Sequence, residues 1–212
     1  MNIKDADKSW LDDIEVVGGH PALDFVNTVH SYTACTQRDY LRSAHHLVDW
    51  CRYVDLINNE QTNALSALSA SAANTLLSEA RDLRATLNAV FRGHLAGRPD
   101  AQALDQLNVR LKTLAHFRTL DSEADGYVWR YEITRARPHS VFTPIVFAAA
   151  ELLQAKDLSR LKSCPPPAGC GWLFLDRSRN GSRTWCNMKT CGNAAKQRRH
   201  RARYNAAATR PT

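Results

Sequence analysis

Residues 164–203 read CPPPAGCGWLFLDRSRNGSRTWCNMKTCGNAAKQRRHRAR, and the cysteine spacing in this stretch decides how the end of the chain is built. Cys164 and Cys170 are separated by five residues, a spacer of fifteen follows, and Cys186 and Cys191 are separated by four. Four of the six cysteines therefore fall within 28 residues. Where thiols are kept reduced, two close pairs at this separation fit one tetrahedral Zn(II) better than disulfides, although the spacings are looser than the commonest C-x2-C. Four thiolates fill the tetrahedron and leave no position for water, so the expectation is one structural zinc per chain, held by Cys164, Cys170, Cys186 and Cys191.

Between the pairs, GWLFLD has strand character, RSRNGSR carries an Asn-Gly turn signal, and RTW is expected to return as the second strand of a zinc-pinned hairpin. From Asn187 or Cys191 onward, Ala, Lys, Gln and Arg favour a helix with the last ligands at its start. Knuckle, hairpin and ligand-bearing helix in that order make a treble-clef type of finger.

The same region is strongly cationic. Residues 161–212 hold eleven Lys or Arg against one acid, Asp176, whereas residues 1–160 sum to −3. On a helix starting near Cys191, Lys196, Arg199, His200 and Arg203 share a face, with Arg198 and Arg201 to the side, and Arg177, Arg179 and Arg183 add charge from the hairpin. A solvated face is the ordinary reading of such a stripe. The near absence of acids favours a polyanion, because surfaces that serve solubility alone mix both signs. DNA is the partner expected. An RNA-binding module is the alternative if Trp172, Phe174 and Trp185 are free to stack on bases.

Upstream, apolar periodicity predicts helices over 21–32, 43–57, 74–95, 101–115 and 143–157, the last opened by Thr143 as N-cap. On the fourth, Leu104, Leu107, Leu111 and Leu114 form the stripe. HFRTLD and GYVWRYEI flank a polar turn and read as a β-hairpin, and SALSAS (66–71) reads as a helix end or linker. The fold class is thus mostly α with a small β-hairpin (α+β), a helical N-terminal domain over 1–158 and a zinc finger over 160–206. On this reading the finger is too small to hold its shape by burial alone, and its loss of metal leaves the helical body folded.

Other signals are weaker. His45 and His46 are adjacent and cannot both face one metal from a regular helix, and Cys35 and Cys51 lack a close partner and read as small apolar groups or free thiols. Gly-rich phosphate loops, G-x-S-x-G and H-E-x-x-H are absent, so no catalytic residue is assigned. An enzyme or small-molecule-binding protein whose finger only caps the fold is the competing class. The start MNIKDADKSW has no secretory character and no apolar run is long enough to span a bilayer, which leads to the expectation of a cytoplasmic protein with no membrane partner.

The chain resembles bacterial proteins that join an N-terminal ABATE domain to a C-terminal CGNR zinc finger, a family of stress-induced transcription regulators. The resemblance rests on CGWLFLDRSRNGSRTWCNMKTCGNAAKQRRHRAR and on GGHPALDFVNTV, which is similar to the Gly-Gly and Leu-Asp-Phe-x-Asn-Thr signature that opens the ABATE domain. It implies zinc binding by the four cysteines and a one-component DNA-binding regulator whose helical domain receives a signal. Asp24 and Asn27 in that signature are the candidates for contacting a small-molecule effector, with helix capping or a buried hydrogen-bonding role as the alternative. A homodimer is compatible with this reading. One departure stands out: Cys191, Gly192 and Asn193 are followed by Ala194, where the finger's name has arginine.

Overall fold

A computed structural model describes residues 10–11, 14–33, 38–167 and 169–208, with side chains described up to 204. Most of the N-terminal lead-in, and Cys35, lie outside the described residues. The elements are α1 (Pro21–Val26), α2 (Ala44–Tyr53), α3 (Asn59–Ser66), α4 (Ala70–Leu95), α5 (Ala101–Leu114), β1 (Arg118–Glu123), β2 (Gly126–Tyr131), α6 (Thr143–Gln154), β3 (Leu161–Ser163), β4 (Leu173–Leu175) and α7 (Asn193–Ala208).

The helices start where side-chain oxygens satisfy free backbone N–H groups. Ser43, Asn58, Ser69 and Asp100 cap α2, α3, α4 and α5 in this way. At α3 the cap is reciprocal, since Asn58 Oδ1 accepts from the Gln61 N–H and Gln61 Oε1 accepts from the Asn58 N–H, both at 2.9 Å. Periodicity missed α3 because Leu65 is its one buried residue; the Asn-x-x-Gln spacing was the available signal. SALSAS spans the break between α3 and α4, with Ser69 as the second helix's cap. Helix α6 opens differently from expectation: the 3-10 turn Pro138–Phe142 runs directly into it, so Thr143 lies in the first turn and Phe142 occupies the cap position.

The long α4 is the axis of the body. It packs against α1, α2 and α5, while α6 covers α1 and α5. Phe25, Trp50, Leu83, Leu87, Phe91 and Ile145 are fully buried there. On α5 the inward positions are Ala103, Leu107 and Leu114; Leu104 faces solvent, contrary to the predicted stripe. Strands β1 and β2 pair antiparallel with Glu123 opposite Gly126, as the sequence predicts. His46 is buried, with its ring stacked on Trp10 at 4.3 Å and Nδ1 2.8 Å from the Tyr40 carbonyl, whereas His45 is exposed.

Helix α1 is shorter than the predicted 21–32. The chain turns extended after Val26 because residues 28–33 are needed as backbone partners elsewhere: the His30 N–H donates to Arg38 and the Tyr32 N–H to Cys170. Arg84, only 9% exposed, fastens this segment from α4. Its Nη1 donates to the Thr28 carbonyl at 2.9 Å, and Nη1 and Nη2 form a two-pronged pair with Asp39 at 2.8 and 2.5 Å.

The finger's hairpin uses the predicted GWLFLD strand but a different partner from the one predicted. β4 pairs with β3, Leu161 opposite Leu175, so the hairpin closes across the Cys164–Cys170 knuckle, and Arg183–Trp185 is not a strand. Trp172, Leu173, Phe174 and Leu175 are all buried and belong to the same hydrophobic cluster as the helical core. The finger is therefore not a separately packed appendage. Loss of what pins it should expose apolar surface that the body also needs covered, so the body is expected to be destabilised with the finger rather than left unaffected.

Candidate metal centre and cationic arm

The four Sγ atoms of Cys164, Cys170, Cys186 and Cys191 all lie within 4.8 Å of one another. Cys170 and Cys186 are 3.4 Å apart and Cys186 and Cys191 3.7 Å. Those distances are too long for a disulfide and suit a sulfur tetrahedron, whose edge is about 3.8 Å for Zn–S bonds of about 2.3 Å. The cluster is positioned to bind one zinc ion. Electrostatics point the same way: a Cys164 thiolate accepts S–H hydrogen bonds, first from Cys170, and is held far below the usual thiol range, while that same negative neighbour holds the Cys186 thiol far above it. Removing all four protons requires a cation in the centre.

Local backbone builds the site. The Cys164 N–H donates to the Trp172 carbonyl at 2.8 Å across the hairpin, and a Cβ at Gly169 would stand 2.6 Å from Cys164 Sγ, so only glycine closes the knuckle there. Cys191 sits in a π-turn, Met188–Gly192, which leads into α7 and is capped by the Asn187 side chain. Asp176, the only acid in residues 161–212, is buried beneath the Arg-rich turn. Its carboxylate accepts from Lys162 Nζ at 2.6 Å, from Ser178 N–H and O–H, and from the Arg183 N–H. The Lys162 ammonium holds it well below the usual carboxylate range.

Asp24 and Asn27 lie at the seam between body and finger. Asn27 Nδ2 donates to the Leu173 carbonyl at 2.8 Å and its Oδ1 accepts from the Leu173 N–H at 3.0 Å. Beside it, Trp172 Nε1 donates to Val29 and the Leu175 N–H to Gly18. The Asp24 carboxylate accepts from the Gly18 N–H at 2.7 Å, and a Cβ on Gly18 would stand 3.0 Å from that oxygen. Burial pushes the Asp24 pKa up to about 6, against the lowering by its N–H donors. Both side chains are buried and directed at the chain itself, the alternative role that their spacing allowed.

The cationic residues divide. Arg177, Arg179, Lys196, Arg199, Arg201 and Arg203 are exposed and form no ion pair among the described residues. Arg183 is a correction to the predicted set: it is turned inward, with Nε donating to Trp185, Nη2 to Val17 and Cys186, and its guanidinium over Phe174 at 4.4 Å. Arg198 is exposed but donates to the Pro167 carbonyl at 2.6 Å. Trp172 and Phe174 are buried, and Trp185 is half-buried against the core.

Sequence reasoning passed over Glu15, Lys162, Arg84 and Arg92. Arg92 Nη2 donates to the Gly171 carbonyl at 2.5 Å and Glu15 accepts from Asn187 Nδ2 at 2.6 Å, both across the seam. The isolated Asp176 was the one available clue, since a lone acid among eleven cations is expected to have a fixed partner.

Two outcomes are expected. Cys186→Ser should bind no stoichiometric zinc by elemental analysis, and its thermal midpoint, followed by helical circular dichroism, should fall by more than about 10 °C, because structural zinc contributes free energy comparable to a whole domain's stability. For Asp24, a folded pKa near 6 against the ordinary 3.8 means its favourable contribution is complete below pH about 4 and lost as pH rises through 6. The stability difference between wild type and Asp24→Asn should therefore shift by roughly 1 kcal/mol against the wild type between about pH 5 and about pH 7.5, measured by urea unfolding.

Comparison with known families fits this geometry. The ABATE model, described as "Putative stress-induced transcription regulator", matches residues 19–156, and the CGNR zinc finger model matches residues 160–204. A search of the curated proteins finds no match. No helix among the described residues is long and apolar enough to cross a membrane. With most of its length matched by the first model and its four cysteines inside the second, the chain belongs to the ABATE family and carries a CGNR zinc finger.

Proposed function

We propose that this protein is a DNA-binding transcriptional regulator in which the zinc-pinned finger presents α7 and the Arg177–Arg179 turn to the phosphate backbone, while the helical body receives a signal. The observation that carries the reading is α7 itself. Of its residues with described side chains, Ala195 alone is buried. A helix with so little packing and no acid on any face is stabilised best by an external polyanion, which neutralises its self-repulsion. Lys196, Arg199 and Arg203 would meet successive phosphates, with Arg201 to the side and Arg198 anchoring the helix start to the knuckle.

A duplex is favoured over a single strand. Sequence-tolerant single-strand binding needs flat aromatic faces in the groove, and Trp172 and Phe174 are committed to the core. The role of zinc in this scheme is to hold the start of α7 rigidly against the body. An effector and a homodimer belong to the same proposal: a signal received by the body reaches α7 through the shared seam, and two finger arms would bind two half-sites.

Salt dependence is the test. Each phosphate neutralised releases condensed counterion, so log K against log[salt] should fall by about 0.9 per contact on duplex DNA. Replacing Arg199 and Arg203 together by Ala should flatten the slope by roughly two, and uniform weakening across sequences would mark them as positioning contacts. Unchanged affinity and slope in a folded, zinc-loaded double variant would remove α7 from the interface.

A further inference from the structure

The β1–β2 hairpin is fastened to the body at its root. The Arg118 guanidinium lies 4.0 Å from the Trp129 ring centre and 3.5 Å from that of Phe147 on α6, and Gln61 of α3 donates to the Tyr131 carbonyl at 2.8 Å. Beyond that root, residues 119–127 are all exposed. One face carries Leu120, Tyr127 and Trp129, which are 54%, 78% and 38% exposed, and the other pairs Arg130 with Asp121 and Glu123. A two-stranded hairpin is marginally stable in water on its own, and large apolar side chains grouped on one face mark an interaction surface.

The backbone shows where a partner attaches. The Glu132 N–H donates to the Phe117 carbonyl at 2.8 Å, which makes 117 and 132 a hydrogen-bonded pair. By alternation, Thr119–Arg130, Asp121–Val128 and Glu123–Gly126 bond each other, and the N–H and carbonyl groups of Arg118, Leu120 and Ser122 point outward from β1. Among the described residues, no backbone group from outside the hairpin meets them. The outer edge of β2 differs: Gln61 closes it at Tyr131, and Leu56, Ile57 and Asn58 share a groove with Trp129 and Tyr131.

Charge selects what pairs with the β1 edge. Opposed side chains share a face, so a two-fold axis joining two β1 strands lies level with a residue. With the axis at Leu120, the two Leu120 side chains meet, Arg118 faces Ser122 and Thr119 faces Asp121 of the second copy. No like charges are opposed in this register. An axis at Arg118, Asp121 or Glu123 opposes identical charges, and one at Ser122 opposes Asp121 to Glu123. An axis at Thr119 pairs residues 118–120 alone, because Phe117 belongs to the 3-10 turn Ala115–Phe117. The Leu120 register is thus the one that pairs β1 with itself along residues 118–122 without repulsion, and it joins the two apolar faces.

We propose that β1 is a homodimer interface, at which two copies pair edge to edge about Leu120 and form one four-stranded sheet in the order β2–β1–β1–β2. Leu120, Tyr127 and Trp129 of both copies then lie on one continuous face. The inference supplies the interface for the homodimer of the proposed function, and rests on that reading for the dimer's role on DNA.

Sedimentation equilibrium of the full-length, zinc-loaded protein without DNA is the test. A monomer–dimer equilibrium with a dissociation constant of roughly micromolar order is expected. Leu120→Pro removes an outward N–H and leaves the β1–β2 ladder its bonds, so it should keep the helical signal and weaken dimerisation at least about tenfold. Ser122→Lys, which sets a like charge opposite Arg118 twice per dimer, should weaken it about threefold or more, and Ser122→Glu should strengthen it by a similar factor. Amide exchange should slow with rising concentration at Arg118, Leu120 and Ser122 but not at Thr119 and Asp121, which already bond β2. A protein still monomeric at about 100 µM, dimerisation unaltered in Leu120→Pro, or the two Ser122 variants shifting affinity in the same direction would overturn the proposal. If Leu120→Pro does not fold, the opposed Ser122 pair decides. A failure of the DNA-binding reading is distinguishable, because no DNA enters this measurement.

Discussion

The fold depends on one side chain lying alongside one residue of backbone. Asn27 meets both the N–H and the carbonyl of Leu173, as a neighbouring strand would. β4 has β3 on its other edge, so this carboxamide lets a short strand pass through an apolar core without orphaned polar groups. The rest follows in order. Because β4 is held there, Cys164 and Cys170 are fixed at the end of its hairpin, and Cys186 and Cys191 close on them. Because α1 must present Asn27 at its end, it stops at Val26, and the next residues run extended to receive Trp172 and Cys170. The stretch GGHPALDFVNT is therefore a seat for the finger as much as the opening of the body.

Charge is sorted by the same arrangement. Lys162 neutralises Asp176 inside the Arg-rich turn, Arg183 lies over Phe174 and ties the finger to Val17, and Arg84 and Arg92 reach from α4 to the seam. Within the finger, the arginines left exposed are those of α7 and the tip of the turn. A single basic composition thus serves two purposes, distinguished by whether a carbonyl or carboxylate lies within reach. The metal centre stands between the two sets.

Much of this was legible in the sequence, and the failures have physical causes. The ligand set could be read because tetrahedral zinc needs four donors and the spacing offered four. Helices α2, α4, α5 and α6 could be read because each buries a repeating apolar stripe, whereas α3 could not, because its start is set by the Asn58–Gln61 caps and only Leu65 is buried. Leu161–Ser163 is too short for a pattern, so the pairing of β4 was assigned to the wrong partner. Arg183 looks like its neighbours in sequence; only Phe174, Trp185 and Val17, brought together by folding, give it a different role. Asp24 and Asn27 stood out in sequence as candidates for an effector or for a buried hydrogen-bonding role, but their partners lie across the fold at Gly18 and Leu173, where no local rule reaches.

Finger and body are held here to form one cooperative unit, with zinc as a shared fastening. Native-state hydrogen exchange of the full chain, with and without a zinc chelator, tests this most directly. Chelation should remove protection from Leu173–Leu175 together with Gly18, Tyr32 and the buried turns of α4 from Leu83 to Phe91. Loss of protection confined to residues beyond 160, with the body's amides unchanged, would contradict it.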